Sequence, residues 1–206
     1  MKYKKISLLV LVALARVPMV ANAEQSATTE ANIEILAGED PVEPEIPIDP
    51  PTGQEGPLTI DAVSSFDFGV ARLGAEKVTA IVAEDKILGV QVSDKRGNGI
   101  GWSLTAEISA FENESKTRQL RGAKVTIAAG KVDSKQGNPL FPPVASEIIL
   151  AGSFQNILVA EKENGLGTWT EDFHGTNKKV QLEVPPDAYV DMYNAEITWS
   201  LQDAPK

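Results

Sequence analysis

The sequence predicts an all-β protein. Short segments in which apolar and polar residues alternate recur along most of the chain, Gly, Asn, Asp and Pro separate them, and no long stretch has the helical period of about 3.6 residues. Alternation places every second side chain on the same face of a strand, so each strand would bury one face. Many short strands of this kind favour an antiparallel β-sandwich, either immunoglobulin-like or a related Greek key.

The predicted strands follow one another over the last three quarters of the chain. They cover residues 58–60, 66–68, 78–82, 88–92, 102–108, 124–128, 146–150, 155–159, 180–184 and 189–201. Residues 94–99 are predicted as a hairpin loop, because their glycines can adopt positive φ. Residues 134–143 are predicted as a long exposed loop, because they are rich in Gly and Pro. One β-domain over residues 58–206 accounts for all of these strands.

Two of the predicted strands carry a tryptophan that is followed, two residues later, by a leucine. In the last strand these residues are Trp199 and Leu201, and in a strand far earlier in the chain they are Trp102 and Leu104. Both pairs stand on the apolar face of their strand. Pro205 ends the last strand, since proline has no N–H for a ladder hydrogen bond.

This pair of segments, together with several others, resembles the WxL domain of Gram-positive cell-surface proteins. The matching residues are 58–61, 66–69, 101–104, 122–124, 165–169, 184–185 and 198–205. The resemblance implies a protein of the cell surface that attaches non-covalently to the cell wall through peptidoglycan. It also implies that Trp102, Leu104, Trp199 and Leu201 are the motif residues of this attachment.

Residues 1–23 are predicted to be a secretory signal peptide. Residues 1–5 are basic, residues 6–15 are mostly apolar, and residues 21–23 have the small-x-small pattern of a cleavage site. The alternative is a membrane anchor, but this apolar run is far shorter than the roughly 20 residues that span a bilayer. No second apolar run and no C-terminal sorting pattern follow. The sequence therefore predicts a secreted protein without a membrane span, which reaches the wall by non-covalent binding.

The charge of the chain also limits its partners. The formal net charge is −10, and the predicted leader contains four of the Lys and Arg residues, so its removal changes the charge to −14. A surface this acidic repels the phosphates of nucleic acid, which is therefore not an expected partner.

Residues 24–57 are predicted to form an acidic, proline-rich arm. They include nine Asp and Glu residues, no Lys or Arg, and six prolines between residues 41 and 57. Like charges repel and proline stiffens the backbone, so an extended and mostly disordered arm is expected. Only residues 33–36 alternate well enough to add a short strand to a sheet edge. The arm is either a solvated spacer or a segment that docks a partner subunit.

The sequence carries no recognisable catalytic or metal-binding pattern. There is no cysteine, and His174 is the one histidine, so neither a thiolate nucleophile nor a cluster of imidazoles is available. Asp187 and Asp191 lack the spacing of a calcium loop. No phosphate-binding loop or nucleophile elbow is present. The prediction is a protein that is not an enzyme and that needs no cofactor and no metal.

The tryptophans have two interpretations. Trp102 and Trp199 stand on apolar faces and either pack in the core or lie at a rim where the indole stacks on glycan rings. Trp169 has polar neighbours in its segment, and exposure is predicted for it.

A basic stretch stands out in this acidic chain. Its cations are Lys116, Arg118, Arg121, Lys124, Lys131 and Lys135, and Lys95 and Arg96 add a basic turn if the strands are neighbours. With Trp169, the first four of these residues form a candidate ligand rim. Such a face either binds anionic wall polymers and peptide-stem carboxylates or is a solvated strand face.

The alternative to direct wall attachment is a structural or adhesive subunit. In that case the domain would belong to a multi-protein complex at the cell surface and would bind a protein partner or host matrix.

Overall fold

The structure is a computed structural model that describes residues 29–45, 47, 51–82, 87–134, 140–174 and 180–203. Backbone contacts divide the chain into two units, residues 1–34 and residues 35–206. In the first unit the described residues, 29–34, are exposed and have no regular secondary structure. The predicted signal peptide lies outside the described residues. All strands belong to the second unit.

The all-β prediction is confirmed, since the described residues contain strands and no helix. The strands are β1 Leu58–Val63, β2 Val78–Ile81, β3 Gly89–Asp94, β4 Trp102–Ile108, β5 Glu112–Asn113, β6 Lys124–Ile127, β7 Lys131–Asp133, β8 Val144–Ala145, β9 Ile148–Leu150, β10 Gln155–Ala160, β11 Gly167–Asp172, β12 Gln181–Val184, β13 Tyr193–Asn194 and β14 Ile197–Asp203.

The strands form three four-stranded sheets and one two-stranded ribbon, in which every described pair is antiparallel. Sheet 1 has the order β1-β3-β11-β7, sheet 2 the order β14-β4-β10-β8 and sheet 3 the order β2-β12-β6-β9, while β13 pairs with β5. Strands that follow one another along the chain always lie in different sheets. This repeated crossing between layers gives the sandwich-like packing that the sequence predicts.

The core lies between the sheets, and β4 is its central strand. Every residue from Trp102 to Ala106 is buried, including the polar Ser103 and Thr105 on the opposite parity. Val90 on β3 and Leu158 on β10 are also fully buried. The strand is covered on both faces, and its neighbours on either side are β14 and β10.

Several predicted elements differ from the observed ones. Residues 66–68 do not form a strand. The predicted loop at residues 94–99 is not a hairpin loop, because the chain there passes from β3 in sheet 1 to β4 in sheet 2. The glycines of this loop do adopt positive φ, as predicted. Residues 135–139 of the predicted exposed loop lie outside the described residues. Strand β11 was not predicted, because its Thr, Glu and Asp residues are typical of a loop.

Several described residues of the predicted acidic arm are in contact with the domain. The N–H of Gly38 donates to Lys95 O at 3.2 Å, and the N–H of Thr52 donates to Asp61 O at 2.7 Å. Pro51 bridges to Ala62 on the outer edge of β1. By contrast, residues 33–36 are exposed and form no strand.

A buried polar layer on sheet 1 supplies further contacts to the described residues of the arm. The Asp61 carboxylate accepts hydrogen bonds from Thr59 Oγ1 (2.7 Å), Gln91 Nε2 (2.9 Å) and Ser93 Oγ (2.6 Å). The Gln91 amide also donates to Glu43 O (3.1 Å) and accepts from Glu45 N (2.6 Å). The Gln91 side chain therefore forms hydrogen bonds with the backbone of Glu43 and Glu45. Prolines in this segment lack the N–H groups that a regular ladder needs.

Glu171 has a carboxyl group that faces the core. It lies opposite Val90, as Trp169 lies opposite Val92, and both therefore share the apolar face of sheet 1. Its Oε1 accepts the N–H of Gly130 at 2.9 Å, and no partner is found for Oε2 among the described residues. Burial raises the pKa of Glu171 to about 8, against a smaller lowering by the Gly130 hydrogen bond.

The raised pKa makes the stability of the domain depend on pH. Between the unfolded pKa of 4.5 and the folded pKa of about 8, the folded state holds a proton that the unfolded state loses. This group therefore lowers the free energy of unfolding as pH rises through that range, by at most about 1.4 kcal/mol per pH unit. Glu171→Gln keeps the shape and removes the titration. We expect the variant to gain stability relative to the wild type between pH 5 and pH 8, measured by urea unfolding.

Glu183→Gln is the control for this measurement, because the Glu183 carboxylate is paired with Lys77 at 2.7 Å on a solvent-facing surface. The hydrogen bond from Lys77 lowers the pKa of Glu183. Glu183→Gln should therefore lower the free energy of unfolding, and this effect should change with pH only in the acidic range. The prediction would be contradicted if the free energies of unfolding of Glu171→Gln and the wild type differed by the same amount at every pH.

Candidate functional site

The two strands that carry the Trp-x-Leu motif are direct neighbours in sheet 2. Strands β4 and β14 pair in one unbroken antiparallel register, in which Leu104 lies opposite Leu201 and Trp199 lies opposite Ala106. Trp102, at the other end of the ladder, lies opposite Asp203. The two leucines therefore meet at the middle of the pair, and the two tryptophans stand near its opposite ends.

Trp102 and Leu104 are core residues. Both are fully buried, and the indole Nε1 of Trp102 donates to Gly165 O at 3.1 Å. Gly165 has φ +74°, and a Cβ at this position would lie 2.7 Å from Trp102 Nε1. Only glycine leaves room for the indole to reach the carbonyl. For this tryptophan, the structure supports the packing interpretation.

Trp199 and Leu201 lie on the edge strand β14 and are half-buried. The indole of Trp199 stacks on Phe173 with the rings 9° from parallel and their centroids 6.4 Å apart. Phe66 approaches Phe173 edge-on at 6.1 Å. Trp199 is therefore packed through an aromatic cluster and also lines an open cleft.

The prediction that Trp169 is exposed is wrong. Its side chain is 2% exposed, and Nε1 donates to Leu166 O at 3.1 Å. Strand β11 lies between β3 and β7, and Trp169 stands opposite Val92 on the apolar face. Trp169 is therefore not part of a ligand rim.

A cleft of about 1160 Å³ opens beside β14 and is the main candidate for a binding site. Residues 63–73 form one wall, and residues 188–197 with Trp199 form the other. The aromatic side chains that line it are Phe66, Phe68, Phe111, Tyr189, Tyr193 and Trp199. Half of the twelve Phe, Tyr and Trp residues of the chain therefore meet here.

The outer rim of the cleft carries a tyrosine that is held in place. Tyr189 is 65% exposed, and the guanidinium of Arg118 lies over its ring at 4.8 Å from the centroid. The hydroxyl of Tyr193 donates to Tyr189 O at 3.0 Å, and Arg118 also pairs with Asp191 at 3.5 Å. The ring is thus supported from its side chain and from its backbone.

Asn113 organises the turn that presents Arg118. Its Oδ1 accepts the N–H groups of Thr117 and Arg118, both at 2.9 Å, and its Nδ2 donates to Asp191 Oδ2 at 3.0 Å. This buried amide joins residues 113–118 to residues 189–194. No local sequence pattern indicates this contact, because the two segments are far apart in the chain.

The cations of the basic stretch differ in their partners. Within the described ranges, Lys116, Arg121 and Lys124 have no ion pair, and Arg121 and Lys124 line a smaller cleft of about 300 Å³. Lys131 pairs with Asp133 at 2.9 Å. Arg96 of the basic turn is bound to Asp94 and Asp203, Lys95 donates to Asp40 O, and Lys135 lies outside the described residues.

His174 and Asp191, the sequence-based candidates for catalysis and metal binding, have other contacts in the structure. The N–H of His174 donates to Asp172 Oδ1 at 2.9 Å, and Asp191 is used by Asn113 and Arg118. Among the described residues, no three His, Cys, Asp or Glu side chains are grouped as a metal site would require. In the same part of the chain, no helix has the length and apolar character to cross a membrane.

The region that contains the two Trp-x-Leu strands matches a known protein family. The family model described as WxL domain, surface cell wall-binding, matches residues 22–205. The chain belongs to this WxL family. Membership confirms the resemblance seen in the sequence, makes the chain a cell wall-binding surface protein, and places it in a binding family rather than an enzyme family. Neither curated proteins nor solved structures give a significant match.

The two motif tryptophans of this WxL domain differ in burial, and their substitutions are expected to differ in cost. Trp102→Ala removes a fully buried indole and should lower the free energy of unfolding by about 3–5 kcal/mol. Trp199→Ala removes a half-buried indole and should cost roughly half as much. Urea unfolding of both variants at one pH gives the comparison. Equal losses would contradict the assignment of Trp102 to the core and Trp199 to the cleft.

Proposed function

We propose that this WxL protein is secreted and attaches non-covalently to the peptidoglycan of a Gram-positive cell wall, through the aromatic rim of the cleft beside β14. Family membership supports wall binding in general. The observation that supports the site is Tyr189, an exposed aromatic ring that is already held by Arg118 and Tyr193.

The rim has the chemistry that a glycan strand requires. The faces of sugar rings present C–H groups that pack on aromatic rings, and Tyr189 and the 76% exposed Met192 offer such contacts. Asp67, Asn194 and Glu196 lie around the same cleft and provide acceptors for sugar hydroxyl groups. A side chain that is held before binding loses little conformational entropy on binding.

Removal of the tyrosine ring is expected to weaken wall binding without unfolding the protein. Tyr189→Ala should reduce co-sedimentation with purified peptidoglycan by about tenfold, because one stacking contact contributes on the order of 1–1.5 kcal/mol. The melting temperature should change little, because the ring is mostly exposed. Co-sedimentation over a range of wall concentrations gives the apparent affinity.

Phe141→Ala is the matched control, because Phe141 is an exposed aromatic residue that does not line the cleft. Walls with teichoic acid retained and walls with teichoic acid removed distinguish the component that is bound. Equal binding to both supports peptidoglycan. The proposal would be contradicted if binding were lost when teichoic acid is removed from the walls. It would also be contradicted if Phe141→Ala and Tyr189→Ala weakened binding equally.

Secretion predicts a defined N-terminus. Cleavage after the residues 21–23 pattern would make Glu24 the first residue of the exported protein. Expression of the whole chain in a Gram-positive host, followed by intact-mass measurement of the extracellular protein, tests this. A mass that includes residues 1–23 would contradict cleavage.

A second candidate function is a subunit of a multi-protein surface complex that binds a protein partner. One observation favours it: among the described strands, the edge strand β14 is paired on one side only.

A further inference from the structure

Strand β14 is an edge strand whose outer side is unpaired in the described part of the chain. It extends over seven residues, Ile197–Asp203, and pairs only with β4 among the described strands. The register of that ladder contains no bulge. A long, regular strand with one free side offers a row of backbone donors and acceptors to another strand.

The free backbone groups can be assigned from the ladder. The N–H of Ser109 donates to Glu196 O at 2.9 Å, so Glu196 and Ser109 are a hydrogen-bonded pair. Such pairs alternate along an antiparallel ladder. The backbone groups of Thr198 and Ser200 therefore point to β4, and those of Trp199 and Leu201 point away from it. The outward groups belong to residues whose side chains lie on the core face.

The other sheet edges are short, charged or covered. Strands β8 and β9 have two and three residues, and β7 is a three-residue strand that begins with Lys131 and ends with Asp133. Strand β1 has a bulge between Ile60 and Ala62, and the bridge from Pro51 covers its outer edge. Strand β2 has four residues. Strand β14 has neither proline nor bulge, and its only charge is Asp203 at the end.

The surroundings of the open edge suggest the chemistry of a partner. Asp67, Asp191 and Glu196 line the cleft beside β14, where Arg72 is the cation among the described lining residues, and Arg118 at the rim is already paired with Asp191. Glu107, on β4, lies opposite Thr198. A second copy of this acidic chain would bring like charges together, which disfavours self-association. A basic partner has the complementary charge.

We propose that the β14 edge binds an extended segment of another protein as an additional antiparallel strand of sheet 2, with apolar side chains at alternate positions in the cleft and Lys or Arg at its ends. Backbone hydrogen bonds to Trp199 and Leu201 provide the pairing, and the cleft selects the side chains. This binding is separate from wall attachment at the Tyr189 rim, and it is measured in solution without walls.

Synthetic peptides test the chemistry of the partner. In the first, valine alternates with threonine between two lysines at each end, and in the second, glutamates replace the lysines. Calorimetric titration of the purified protein should give at least about tenfold tighter binding for the lysine peptide, because its charge complements the cleft. Two further lysine peptides carry N-methyl groups on all valines or on all threonines. Since the amides of alternate residues face opposite edges, only one of these two should lose binding.

A disulfide between the strands tests the position. The chain has no cysteine, so Thr198→Cys introduces one thiol, exposed on β14 at a position where side chains of paired strands come close. A lysine peptide with a central cysteine in place of threonine should cross-link to it under mild oxidation. Thr79→Cys, exposed on the edge strand β2, is the control and should react at least about tenfold more slowly, because no strand aligns there.

Selective cross-linking of Thr198→Cys, with binding lost on only one pattern of N-methylation, supports the proposal. Equal reaction at both positions, or equal binding of the lysine and glutamate peptides, would overturn it. Sedimentation of the unmodified protein as a dimer, with Thr198→Cys forming a disulfide to its own copy, would assign the edge to a second copy and would also overturn it.

Discussion

The register between β4 and β14 is the constraint on which the rest of this structure depends. Because side chains alternate, a slip by one residue would move every apolar side chain of β14 to the opposite face. With Leu104 opposite Leu201, both motif leucines lie on the core face, and Trp102 and Trp199 lie near opposite ends of the ladder. One tryptophan is then enclosed by the central strands, and the other reaches the margin of the sheet. The same three-letter motif therefore lies in the core in one strand and borders the cleft in the other.

Sequence periodicity could predict the strands that alternate cleanly, and β4 and β14 are of this kind. It could not predict β11. Thr168 and Thr170 are buried on one face of this strand, but polar residues at alternate positions are equally typical of a solvent-exposed face. Thr168 meets Ser93 at 2.9 Å in the polar layer of sheet 1, a contact between residues distant in the chain. The contact between the arm and the sheet could not be predicted for the same reason, since the hydrogen-bond partner of Glu43 is Gln91 of β3. Burial of polar groups by long-range pairing leaves no local pattern.

The candidate site was predictable only in fragments. The Trp-x-Leu motif identified Trp199, and the basic stretch included Arg118. Their place around one cleft depends on the loop at residues 63–73, on the turn held by Asn113 and on the segment that precedes β14. Tyr189 had no distinguishing feature in the sequence, although it is the ring that Arg118 supports. The cleft is a product of tertiary structure, and its chemistry follows from segments that meet only in the folded protein.

The unequal burial of the three indoles has a practical consequence for spectroscopy. Trp102 and Trp169 are enclosed by protein atoms, whereas Trp199 is partly open to solvent at the cleft. Emission from an indole shifts with the polarity around it, so the two enclosed chromophores report on the integrity of the core and the third reports on occupancy beside the edge strand. The domain thus contains an intrinsic optical probe of the cleft, and no dye or label has to be attached.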